Sequence, residues 1–166
     1  MKTLAPVIAL IAVAATVAGG GAYYYYLHNV GPASSSLCSD PDSISSHVYN
    51  PYRLTVVKSC ITASGVVENV FEEADGDYHL RLALDSQYSN LTNSANDQYQ
   101  YGDLVVEIIC ALPITQQDAV AACQGYTNNI MIPSVNNHLT VTGPYVLDTE
   151  HSNWAKIHPV YTLTIS

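Results

Sequence analysis

Positive charge is scarce in this sequence: five Lys and Arg stand against fourteen Asp and Glu in 166 residues. Four of the five, Arg53, Lys58, Arg81 and Lys156, share residues 28–166 with all fourteen acids, which leaves that part near a net charge of −10. A surface so acidic repels phosphate backbones and anionic lipid, so no nucleic-acid partner is expected. Cations, basic partners or plain solubility are what it favours. Familiar catalytic patterns are missing as well. There is no GxSxG elbow, no Gly-rich phosphate loop, and no nucleophile set beside a base in sequence. No CxxC pair is present, so a structural zinc site lacks its main signature. Met131 follows Cys123 without an intervening His, against a copper site built from Cys, His and Met. The expectation is a protein that is not an enzyme and carries no cofactor, with metal-dependent activity left open.

Charge of either sign is absent from residues 3–27. At ~1.5 Å rise per residue a helix of that length more than spans a hydrocarbon layer of ~30 Å. Two readings follow. Lys2 before the apolar run, and the small residues Ala18, Gly20 and Ala22 at its end, suit a cleavable signal peptide. Tyr23, Tyr24, Tyr25 and Tyr26 instead extend the run and form the aromatic belt of a helix leaving a membrane, which favours a signal anchor over residues 1–27. Either way the remainder is expected outside the cytoplasm, at the cell membrane as a single-pass protein or, alternatively, secreted. The membrane itself is thus a partner through residues 3–27.

Four cysteines lie beyond that run, in a compartment where disulfides persist. Four allow three connectivities. The preferred pairing is Cys110 with Cys123, closing a short excursion between core elements, and Cys38 with Cys60, pinning the N-terminal stalk to the first strand.

Residues 28–52, rich in Ser, Pro and Asp, read as an extracytoplasmic linker, and residues 53–166 as one domain. Within it, 53–71 is mostly β-branched or apolar with Gly65 as an expected bulge. The acidic stretch 72–77 carries an Asp-Gly turn signal, and 78–85 alternates apolar and polar residues, so a hairpin is expected. Residues 86–102 read as a long polar loop holding the one N-glycosylation sequon, at Asn90. A short strand over 104–110 precedes a short helix that Thr115 caps, with Asp118 three positions on, ending near Gly125. Alternation over 139–147 and 161–165 gives two more strands. Strand, strand, strand, helix, strand, strand is the order of an OB-fold-like five-stranded barrel with one short helix, and a small β-sandwich is the alternative.

Three stretches carry a resemblance. They are Gly65-Val66-Val67-Glu68 leading into Asp77-Tyr78-His79-Leu80-Arg81-Leu82; Gly102-Asp103-Leu104-Val105-Val106-Glu107; and Val141-Thr142-Gly143-Pro144-Tyr145-Val146 followed by His151-Ser152-Asn153-Trp154-Ala155-Lys156-Ile157-His158-Pro159-Val160. Over roughly residues 60–166 the chain resembles a group of uncharacterised exported OB-like domains, archaeal ones included, that end in a pattern similar to His-Gly-Trp-x-Glu-Ile-His-Pro. It departs from them with Ser152-Asn153 in place of one Gly and Lys156 in place of the acid. The resemblance implies an OB-like fold and export, and no activity.

Candidate chemistry concentrates in Asp148, Glu150, His151, Trp154 and His158, at the connection between the last two predicted strands, which in OB-folds forms one wall of the ligand face. His151, His158 and Asp148 are the candidate donors for a transition metal. The alternative, preferred because buried aromatics and satisfied imidazoles are commoner than metal sites without close ligand spacing, has Trp154 plugging the barrel mouth and the histidines bracing the loop. The acidic turn 72–77 would be the opposite wall; it lacks the EF-hand spacing of a calcium loop and reads as a solvated hairpin. The expected function is a non-enzymatic, membrane-anchored extracytoplasmic binding or assembly module that meets a protein partner or complex through this face. The alternative is an accessory or structural subunit of a membrane complex or pilus-like filament, for which Ala12, Ala15, Gly19 and Gly20 would allow close helix packing.

Overall fold

The structure, a computed structural model, describes residues 38–166. The expected anchor or signal helix and the first part of the linker lie outside the described residues. Among the described residues no helix is long and apolar enough to cross a membrane.

The protein is mainly β. Six strands form one sheet: β1 (Leu54–Glu72), β2 (Tyr78–Leu84), β3 (Leu104–Ile108), β4 (His138–Asp148), β5 (Trp154–Ile157) and β6 (Thr162–Ile165). Their order is β1-β2-β3-β5-β4-β6, and β1 also pairs with β4, so five strands close into a ring, and β6 pairs with the first half of β4 along the edge whose second half holds β5. All pairings are antiparallel except β3 with β5. The length of β1 makes closure work. Its N-terminal half pairs with β4, its C-terminal half with β2, and Gly65 and Val66 pair with both. Gly65 therefore marks the handover between neighbours; the bulges fall elsewhere, between Val56 and Lys58, Lys58 and Ile61, and Val67 and Asn69.

Period-two alternation fills the core. Leu80 and Leu82 on β2, Leu104, Val106 and Ile108 on β3, Leu139 and Val141 on β4, and Ala155 and Ile157 on β5 join Ala63 and Val67 of β1 in one cluster, almost all without solvent exposure.

Three sequence expectations are corrected. The helix expected after Pro113 is absent: the N–H groups of Thr115 and Gln116 both donate to the carbonyl of Ala74 in the β1–β2 turn, at 2.9 Å, and turns of the i to i−3 kind follow. The one α-helix among the described residues, α1 (Ser94–Tyr99), instead interrupts the stretch read as a loop, so it precedes β3 rather than following it. Asn93 caps it, accepting from Ala95 and Asn96 while the Asn96 side chain accepts from the Asn93 N–H. Finally, the strand expected at 161–165 forms as β6 but lies outside the ring, whose fifth member is the four-residue β5, read from sequence as connection.

Both expected disulfides are present, Cys38–Cys60 and Cys110–Cys123. The residues expected as linker enter the fold from Pro41 on. The 3-10 turn Pro41–His47 and Val48 bury Ile44 and Val48 in a second cluster with Ile109 and Cys110, and a shorter turn, Pro51–Arg53, leads into β1. Asn90 is exposed on the turn Ser86–Leu91.

Candidate functional site: a charged cleft over the outer face of the ring

The alternation that sends apolar residues inward sends ionisable ones to the opposite face of the same strands. His79 and Arg81 on β2, Glu107 on β3, and Trp154 and Lys156 on β5 face away from the core cluster, with His79 directly across from Glu107. Other segments cover this face. The β1–β2 turn lies over it on one side, Arg53 reaches it from the turn before β1, and the β4–β5 connection borders it on the other. A cleft of about 590 Å³ remains, lined by Arg53, Glu72, Glu73, Asp75, His79, Glu107, Glu150, His151, Trp154 and Lys156 together with Tyr49, Asn50, Ala74 and Gln116.

Its floor is an ion network buried almost completely. Lys156 has no solvent exposure, and its Nζ donates to Oε1 of Glu107 at 2.6 Å and lies 2.7 Å from Oδ2 of Asp148. The Arg53 guanidinium donates to the same Asp148 oxygen. Burial alone would raise the Glu107 pKa, but Lys156 overrides it and holds the carboxyl well below its ordinary value. Asp148 is also lowered: burial opposes ionisation there too, and Lys156 with Arg53 outweighs it. His79 and His158 are both lowered, by burial first, with Glu107 pulling the other way. Lys156 is thus the cation that keeps Glu107 ionised, and His158 is a neutral imidazole beside it.

The acids of the turn behave in the opposite sense. Glu73 is pushed up to about 7, by burial and then by Glu107 and Asp75. Asp77 is pushed up to about 8, by burial and then by Asp75 and Glu107, although its Oδ1 accepts the Cys110 N–H at 2.8 Å.

The five residues singled out in the sequence are divided by the fold. Asp148 belongs to the buried floor, and Glu150 and His151 are exposed on the rim. His151 stacks on Trp154 with ring centres 4.8 Å apart, and its Nδ1 lies 3.1 Å from Asp148. Trp154 is half-buried, and its indole N–H is buried without a partner among the described residues. His158 lies beneath the floor, 1% exposed, with Nδ1 2.8 Å from Oε2 of Glu107. His151, His158 and Asp148 form no common ligand group. The groups with donor atoms close enough for one ion are Glu73, His79 and Glu107, and Asp77, Glu107 and His158; a third contains the bridged sulfurs of Cys110 and Cys123.

Sequence reasoning missed Arg53, His79, Glu107 and Lys156; it placed the acidic turn that carries Glu73 on the opposite wall but read it as a solvated hairpin. Glu107 had a signal, as the only charged residue in the apolar run of β3. Set against protein-family models, curated proteins and solved structures, the chain finds no match.

Proposed function

We propose that this chain is a membrane-anchored, extracytoplasmic binding module, non-enzymatic, whose outer-face cleft receives a cationic group from a protein partner. The domain is read as an OB-like barrel, supported by the ring order β1-β2-β3-β5-β4 with β3 and β5 parallel. In that fold the β1–β2 and β4–β5 connections flank the ligand face, and here they are the two walls of the cleft. The observation that carries the reading is the charge of those walls. Five carboxylates, of Glu72, Glu73, Asp75, Glu107 and Glu150, line the cleft against two cations, and both cations are already engaged by Glu107 and Asp148. An opening with surplus negative charge attracts a Lys or Arg side chain and repels an acidic one.

Trp154 is the sole tryptophan, so its fluorescence reports the cleft without labelling. With the full chain in detergent micelles, a tetra-arginine peptide is expected to change that emission saturably and a tetra-glutamate peptide to leave it unchanged. The double variant Glu73→Gln/Glu150→Gln should bind tetra-arginine about tenfold more weakly, each lost carboxylate removing part of the attraction. An equal response to both peptides, or undiminished binding by the double variant, would refute the proposal.

A further inference from the structure

Beneath the cleft floor, on the far side of Glu107, three ionisable side chains meet with part of their polar capacity unused. Asp77, at the end of the β1–β2 turn, is 2% exposed; Glu107 on β3 is 2% exposed; His158, just after β5, is 1% exposed. One donor atom from each lies within 4.8 Å of those of the other two. Oε2 of Glu107 and both ring nitrogens of His158 are buried without a hydrogen-bond partner among the described residues. Such atoms are rare in folded interiors, because an unpaired buried polar group gives up its hydration without compensation.

The geometry of the pair is informative. Nδ1 of His158 and Oε2 of Glu107 are 2.8 Å apart, a close polar contact, and Nε2 of His158 has no partner among the described residues. Two donors each ~2.1 Å from one tetrahedral ion stand about 3.4 Å from each other, so the pair has to open by about half an ångström to hold one. Charge favours a cation. Lys156 occupies the other oxygen of Glu107 and is shared with Asp148, while Asp77 has no Lys, Arg or His within 4 Å among the described residues. We propose that Asp77, Glu107 and His158 form a buried three-ligand binding site for one divalent transition-metal ion of the zinc class. One nitrogen and two carboxylate donors are a set that zinc and its neighbours accept. The Cys110 N–H bonded to Asp77 then serves as the outer contact that orients a ligand. The ion ties the entry of β2 to β3 and to the exit of β5, three consecutive members of the ring.

The test uses the full chain, stripped with chelator and titrated with zinc. Calorimetry should show one site per chain, and in nitrogen-detected spectra of histidine side chains zinc should move the His158 resonances while those of His79 and His151 stay in place. Asp77→Asn and His158→Gln should each abolish the saturable site, whereas Glu73→Gln and His151→Ala should keep it. Absence of a saturable site in the unaltered protein would overturn the proposal. So would zinc shifts centred on His79 with loss of the site in Glu73→Gln, which would put the ion on the cleft side of Glu107. The histidine spectra decide the question in the unaltered protein even where a variant does not fold. Tetra-arginine binding, read by Trp154 in the stripped protein, reports on the cleft separately.

Discussion

Lys156 shows how a single side chain can set the character of a site. It lies on β5 between two apolar residues whose side chains enter the core, Ala155 and Ile157, so period two alone turns it to the opposite face. There it is sealed with Glu107 and Asp148 as its immediate partners. Removing one member of a buried ion pair is costlier than never having built it, because the other charge stays behind. Lys156→Met should therefore destabilise the protein by about 3–5 kcal/mol in denaturant unfolding near neutral pH. Adding Glu107→Gln to that variant should recover part of the loss, since a neutral amide no longer needs the ammonium. A loss below about 1 kcal/mol in the single variant would show that the network is solvated and the burial argument wrong. The pairing left little trace in the sequence. Glu107 and Lys156 are 49 positions apart, and only the parallel register of β3 with β5 brings their neighbours side by side. Asp148, His151, Trp154 and His158 were visible because they crowd together in sequence. That local crowding says nothing of depth, and the fold places His158 beneath the floor while His151 stacks over Trp154 at the rim.

At the scale of elements, ring closure depends on places where backbones touch. Gly143 on β4 is such a place: a Cβ there would run into the carbonyl of Pro159 and come within 2.9 Å of the Ile157 side chain. Gly65 on β1 is another, its missing Cβ leaving room for the Ala83 carbonyl of β2. Gly143→Ala should lower stability by about 1–3 kcal/mol through forced displacement of the segment after β5, with a matching fall in melting temperature. An unchanged melting temperature would mean that this segment gives way freely and does not hold the ring. The strands with clear alternation, β2 and β4, were legible within a residue or two, and so was the Asp-Gly turn between β1 and β2. Two kinds of element were not. β5 has four residues, too few for alternation to show against its polar flanks. Helix α1 is a single capped turn with no apolar stripe, so its asparagines read as loop composition. The helix expected after Pro113 failed for the converse reason: its capping pattern is local, whereas its first N–H groups are claimed by a carbonyl some forty residues earlier.

For the molecule as a whole, the surplus of acid acts through the cleft, and its effect there should depend on pH. Of the acids that line the cleft, Glu73 is the one whose pKa is raised to about 7, by burial, Glu107 and Asp75. The groups facing it are His79 from β2, Glu107 from β3 and Lys156 from β5, with Arg53 from the turn before β1 and Asp75 beside it. Since its native pKa is raised, the folded protein holds a proton that the unfolded chain releases at lower pH. Its contribution to stability therefore falls as pH rises from about 4.5 towards 7. Cation binding has the opposite dependence: as pH rises through about 7, Glu73 ionises and the cleft gains a negative charge. Affinity for tetra-arginine should accordingly rise several-fold between about pH 5.5 and about pH 8, and the rise should flatten as salt shortens the screening length below ~10 Å. Glu73→Gln should bind weakly at both ends of that range. His79 does not mimic this behaviour, because its pKa is lowered and the ring is already neutral where Glu73 titrates. Affinity that stays level from acid to mildly basic pH in the unaltered protein would remove Glu73 from the cleft's function, as would an undiminished rise in Glu73→Gln.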